Sequence, residues 1–167
     1  MLIRTEAPAD ILTIDRLLKA SFETTAEANL VMSLRENSQL TLSLVACSDE
    51  GELMGHVLFS PITLEGEDLG WQGLAPLCVA PQFRGQGIGH RLVEEGLTSL
   101  AELGYPVCAV LGDVRYYAQH GFEPAHEYDM RCEWDVPEGA FAIKALYPDV
   151  LNGHHGVVRY SQEFSKL

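Results

Sequence analysis

Residues 77 to 89 read Leu77-Cys78-Val79-Ala80-Pro81-Gln82-Phe83-Arg84-Gly85-Gln86-Gly87-Ile88-Gly89. A strand-like apolar run ends at Pro81 and three glycines follow at alternate positions. Ile88, Leu92, Val93, Leu97, Leu100 and Ala101 then form one apolar stripe, the spacing of an amphipathic helix. A strand that turns through glycines into a helix is suited to holding an anion. The first-turn N–H groups of a helix have no intrahelical acceptor and sit at the positive end of its dipole, and residues without side chains let an anion approach them. Arg84 adds a full positive charge beside that turn.

Two nucleotide-binding patterns are excluded by the residues that follow. A Walker phosphate loop needs Lys and then Ser or Thr after its last glycine, where this chain has His90-Arg91. A dinucleotide fingerprint needs a glycine at the sixth position counted from Gly85, and that position is His90. The pattern that does fit is R-x-x-G-x-G over Arg84 to Gly89.

Working outward, Ala9 to Phe22 and Thr24 to Asn37 carry apolar residues at helical spacing, so two helices are expected to open the fold. Leu40 to Cys47 and Leu53 to Ser60 flank the turn Ser48-Asp49-Glu50-Gly51 and read as a hairpin. Gly70 to Val79 is a third strand, with a bulge expected at Pro76 because proline cannot donate a ladder hydrogen bond. After the glycine loop and its helix, Gly104 marks a stop and Val107 to Leu111 is a buried strand. Gly112-Asp113 opens a short helix running to His120, ended by Gly121. Ala125 to Trp134, Ala140 to Leu146 and Val157 to Tyr160 alternate enough to be strands.

The chain has 167 residues with no internal repeat or linker, so one domain spanning 1–167 is expected. Its 11 basic against 24 acidic residues give a net charge of −13. That field repels phosphate backbones and anionic lipid, so neither nucleic acid nor membrane is an expected partner. The first ten residues carry Arg4, Glu6 and Asp10 in place of an apolar signal segment, and nowhere do 18 apolar residues run together. A cytoplasmic protein is expected. Cys47, Cys78, Cys108 and Cys132 are widely spaced in apolar surroundings and read as reduced core residues. No histidine or cysteine spacing suits a metal; His154-His155, the one adjacent pair, reads as a polar loop tip.

Arg84 to Gly89, preceded by Leu77 to Pro81 and followed by Tyr116-Tyr117-Ala118-Gln119-His120-Gly121-Phe122, resembles the acyl-coenzyme A (acyl-CoA) pyrophosphate loop and later tyrosine of the GNAT (Gcn5-related) N-acetyltransferase superfamily. The two opening helices and the three-strand meander occur in that family's order, and the chain from Leu2 to Phe164 looks most like its YhbS-like bacterial subgroup. The resemblance implies an α/β (α+β) fold: a central mixed, mostly antiparallel sheet with a splayed fourth strand, flanked by helices. It also implies acetyl-CoA as co-substrate, an amine acceptor that is a small molecule or a protein amine, and a monomer or homodimer. Arg84, Gly85, Gln86, Gly87, Ile88 and Gly89 would hold the pyrophosphate. Leu77, Cys78 and Val79 would line the pantetheine arm, with backbone contacts from Leu77 and Val79.

In such enzymes a tyrosine four residues before a Gly-Phe pair protonates the departing sulfur, and Tyr117 matches it; Tyr116 is expected to face the core. Many relatives place a glutamate general base on the strand before the loop. Gly70 to Val79 holds no carboxylate, which leaves Asp68, Glu23, Glu27, His126 or a water chain as candidates. The same absence keeps open a non-catalytic acyl-CoA sensor, and an enzyme using longer acyl donors or a protein acceptor fits equally. Cys78 is expected to be buried and inert, without covalent catalysis.

Overall fold

The computed structural model describes residues 1–166 of the chain. Its elements are β1 (Leu2–Thr5), α1 (Ile11–Ser21), α2 (Ala26–Glu36), β2 (Leu42–Cys47), β3 (Leu53–Pro61), β4 (Thr63–Leu64), β5 (Gln72–Val79), α3 (Ile88–Glu102), β6 (Val107–Leu111), α4 (Val114–Ala118), β7 (Glu123–Pro124), β8 (Met130–Cys132), β9 (Phe141–Ala145) and β10 (Gly156–Arg159). Seven strands form one sheet in the order β1-β2-β3-β5-β6-β9-β7, antiparallel except for the β5–β6 pair. β4, β10 and β8 form a second, smaller sheet.

The large sheet is covered on both faces. The stripe Ile88, Leu92, Val93, Leu97 and Leu100 packs α3 onto Leu44, Val57 and Phe59 of one face. Ile14, Leu17 and Leu18 of α1, with Leu30, Val31 and Leu34 of α2, pack against Val45 and Leu58 on the other. The small sheet joins that second layer through Met130, Cys132 and Val158. All four cysteines are free and buried.

The irregularity expected at Pro76 is present and shapes the molecule. β5 keeps pairing with β3 as far as Val79 against Gly55, but the register shifts so that Ala75 and Pro76 both stand opposite Leu58. On its other edge β5 pairs with β6 only at Gln72–Leu74 against Cys108–Val110. Beyond that point the two parallel strands, fourth and fifth across the sheet, part company. Their carboxyl ends leave a gap where an open sheet commonly receives a ligand.

Three expectations need correction. Leu2–Thr5 is a strand, pairing with Leu44–Cys47 along the sheet edge, where the sequence showed only a polar start. Residues 125–134 are not one strand but a 3-10 turn at Ala125–Tyr128 followed by the three-residue β8, whose partner is β10. The short helix is confined to Val114–Ala118, where Asp113 caps it by accepting from the N–H groups of Arg115 and Tyr116.

Candidate active site

A cleft of about 460 Å³ lies between the parted ends of β5 and β6. Leu77, Cys78 and Val79 come to it from β5, Arg84 and Gly89 from the glycine loop, and Tyr117 from α4. These six are sequence-expected site residues brought together by the fold. Ser21 and Phe22 at the end of α1, together with Gly112, Asp113 and Tyr116, complete it.

The glycine loop forms its rim. Gly85 and Gly87 have φ of +79° and +80°, a left-handed backbone that only glycine adopts without strain, and nothing lies within 4 Å of where a Cβ would project. Gly87 is the N-cap of α3, so the helix starts at that open space. Gln86 is exposed beside it, whereas the Ile88 side chain points into the core beneath β3 rather than to the cleft. Arg84 is already engaged: its Nε donates to the Val79 carbonyl at 3.0 Å and its Nη2 to the Ser21 carbonyl at 3.1 Å. These two bonds tie the end of β5 to the end of α1 and hold the guanidinium at the rim.

Tyr117 is half-buried. Its ring packs edge-on to Phe122 at 5.7 Å, and a Cβ on Gly112 would lie 2.8 Å from its Cε2. Burial, then the nearby Tyr116 and Cys108, pushes its pKa up to about 12. The hydroxyl therefore stays protonated at any ordinary pH.

Tyr116 lines the cleft beside it, contrary to the expectation that it faces the core. Its ring stacks on His90 with centroids 4.4 Å apart. Behind that stack His90 Nδ1 lies 2.8 Å from His120 Nε2, and His120 Nδ1 lies 2.5 Å from Glu94 Oε1. This chain of three side chains is assembled by the fold from α3 and the segment after α4. The one local signal for it was His90 and Glu94, four apart on one helix face.

None of the four side chains considered as a general base lines the cleft. Asp68 accepts from its own turn at Gly70 N, 3.0 Å, before β5 begins. Glu23 is exposed, and Glu27 has one carboxylate oxygen buried without a hydrogen-bond partner. His126 pairs with Glu138 at 3.3 Å over a separate concavity. Asp113 is the one carboxylate among the lining residues, and its Oδ1 is committed to the α4 cap. Among the described residues no group of three or more His, Cys, Asp or Glu could hold a metal ion.

The sequence model of the Acetyltransferase (GNAT) domain matches residues 40–124, just over half the chain, from the start of the hairpin through the glycine loop to Tyr117 and β7. The chain belongs to the GNAT acetyltransferase family. This GNAT chain is 51% identical to the uncharacterized N-acetyltransferase YhbS of Escherichia coli K12 across 100% of both chains. It superposes on a crystal structure of E. coli YhbS in complex with CoA with a TM-score of 0.95, at 51% identity, covering 98% of this chain and 91% of that one. A GNAT acetyltransferase of Brucella melitensis, solved with acetyl-CoA, matches at TM-score 0.82 and 36% identity over 98% and 97% of the two chains.

Proposed function

We propose that this protein moves an acetyl group from acetyl-CoA to an amine by direct attack. The observation that carries the reading is the cleft itself: a gap between β5 and β6, rimmed by the open glycine turn at the N-terminus of α3 and walled by Tyr117. The residues present fit the co-substrate. The unpaired N–H groups entering α3, with Arg84 nearby, suit a pyrophosphate, and the space above Gly85 and Gly87 is what its approach requires. Leu77 and Val79 offer an apolar wall and backbone groups unclaimed by β6 to the pantetheine arm. The two relatives solved with CoA and acetyl-CoA support the same assignment.

In the reaction the amine nitrogen attacks the thioester carbonyl carbon, the C–S bond breaks, and the nitrogen gives up a proton to water. Tyr117 holds its own proton near the departing sulfur and offers it as charge develops there. No helix among the described residues is long and apolar enough to cross a membrane; a cytoplasmic monomer or homodimer accords with this reading.

A sensor that binds the thioester without turnover is favoured by one observation, the lack of a free carboxylate in the cleft. Calorimetric titration with acetyl-CoA tests the shared premise. Binding is expected in the parent and its loss in Gly87→Glu, which sets a bulky anion at the α3 N-terminus. Unchanged affinity in a folded Gly87→Glu variant overturns the assignment. CoA release in the presence of amines then separates enzyme from sensor.

A further inference from the structure

A second cavity, of about 470 Å³, abuts the first across the parting of β5 and β6. Where the first takes Leu77 to Val79 and Gly112, this one takes Leu74, Ala75 and Leu111. Its far wall is aromatic: Trp134, Tyr160 and Phe164, with centroids 5.3 Å apart for Trp134–Tyr160 and 5.1 Å for Tyr160–Phe164. Those three pack with the α1 and α2 layer, whereas Tyr116 and Tyr117 pack with the α3 layer. The two cavities thus meet the same gap from opposite faces of the sheet.

Among the described residues no charged side chain lines this cavity. Two buried hydroxyls stand on its side of the sheet without a protein partner, those of Tyr160 and Ser60. The sheet is cut back to admit the first: a Cβ on Gly73 would lie 2.7 Å from Tyr160 Cε2. Ser60 pairs with Gly73 in register, so its side chain projects on that same face. Burial raises the Tyr160 pKa, and proximity to Cys108, Cys132 and Tyr117 raises it further, consistent with a hydroxyl near the gap.

We propose that this cavity is the acceptor pocket and that the acceptor is an alkyl primary amine bearing an aromatic ring. The inference rests on the acetyl-transfer reading above. An aromatic, uncharged lining rewards burial of a ring. The same lining penalises a polyamine or an amino sugar, whose charges or hydroxyls would be desolvated without partners. Apolar surroundings also favour the neutral form of an amine. This supplies part of what a carboxylate on β5 would otherwise do.

Titration of 2-phenylethylamine, spermidine and glucosamine into the CoA-saturated protein tests this. Phenylethylamine is expected to bind at least about tenfold more tightly than the other two. Leu111→Arg, at a position 41% exposed where the fold tolerates charge, should weaken phenylethylamine by about tenfold or more while leaving CoA affinity unchanged. Equal or tighter binding of spermidine or glucosamine overturns the proposal, as does indifference of phenylethylamine to Leu111→Arg. Failure of the parent to bind CoA instead overturns the underlying reading, and this inference with it. CoA binding without discrimination among the amines sinks this inference alone.

Discussion

Gly89 and the Tyr116 hydroxyl are so close that a Cβ on Gly89 would lie 2.7 Å from that oxygen. Unlike Gly85 and Gly87, Gly89 lies within α3 and has no positive φ. Its missing side chain therefore serves Tyr116 rather than the backbone. Alanine there gains up to about 1 kcal/mol of helix propensity and pushes the Tyr116 hydroxyl into the cleft. Gly89→Ala is expected to keep or raise Tm while weakening acetyl-CoA by about tenfold. Adding Tyr116→Phe removes the obstructing oxygen and leaves Cζ at 3.9 Å, an ordinary contact, so the double variant should recover affinity. A double variant no better than Gly89→Ala would show that the contact does not govern the cleft.

Cys78 lines the cleft, yet its pKa is pushed up to about 12, chiefly by burial. Hydrogen bonds involving the Ser21 side chain and the His56 backbone, and the Arg84 charge, pull the other way without prevailing. Hardly any thiolate exists at neutral pH, and the thiolate is the nucleophile. Cys78→Ala is expected to acylate amines within about threefold of the parent, because general packing rather than chemistry is altered. Mass spectrometry of the parent incubated with acetyl-CoA should show no acyl-enzyme; an adduct on Cys78 would replace direct attack with a two-step route.

His56 is fully buried between strands, its Nε2 2.8 Å from Ser43 Oγ, which in turn donates to Glu6 Oε1 at 2.5 Å. Burial is the main cause that lowers its pKa from 6.5 to about 4, with Arg35 also lowering it and Glu6 opposing. Between those two values the unfolded chain binds a proton that the folded chain does not, so stability falls as pH drops from about 6.5 to about 4. The full shift corresponds to about 3 kcal/mol. His56→Gln keeps an N–H donor for Ser43 and removes the titration. Urea unfolding across this pH range should show a shallower acid loss for the variant, and identical slopes would remove His56 as the cause.

The parts legible in the sequence were those written locally. The glycine loop, the hairpin around Ser48 to Gly51 and the bulge at Pro76 depend on residues within a few positions of each other. β1 escaped notice because a four-residue edge strand finds its partner some forty residues away; in the small sheet Val157–Tyr160 was legible as a strand, but its partners β4 and β8, of two and three residues, carry no period. In the site, the β5 end, Arg84, Gly89 and Tyr117 were readable from spacing and resemblance. The direction of Tyr116 was not, since α4 is barely longer than one helical turn and has no apolar stripe to orient it. The His120 link joins α3 to the segment after α4, a contact between residues 30 apart that only the fold creates.

Tyr117 is where the enzyme and sensor readings part. Tyr117→Phe deletes one oxygen and keeps the ring against Gly112 and Phe122, so Tm and the Kd for acetyl-CoA should barely change. If the hydroxyl supplies the proton to the sulfur, kcat should fall by about 10²- to 10⁴-fold, the usual worth of general acid catalysis. Tyr116→Phe, in the same cleft with a similar environment, is the control. The pH profile adds a second readout. With its pKa held near 12, Tyr117 remains protonated through pH 8 to 10, so no loss of rate in that range should trace to it. An unperturbed tyrosine would begin to lose its proton near pH 9 and be half ionised near pH 10. Steady-state rates of both variants and the parent from pH 7 to 10.5 decide the matter. Parental kcat in Tyr117→Phe would pass the proton to water, and a parent that binds acetyl-CoA but acylates no amine would make the protein a sensor.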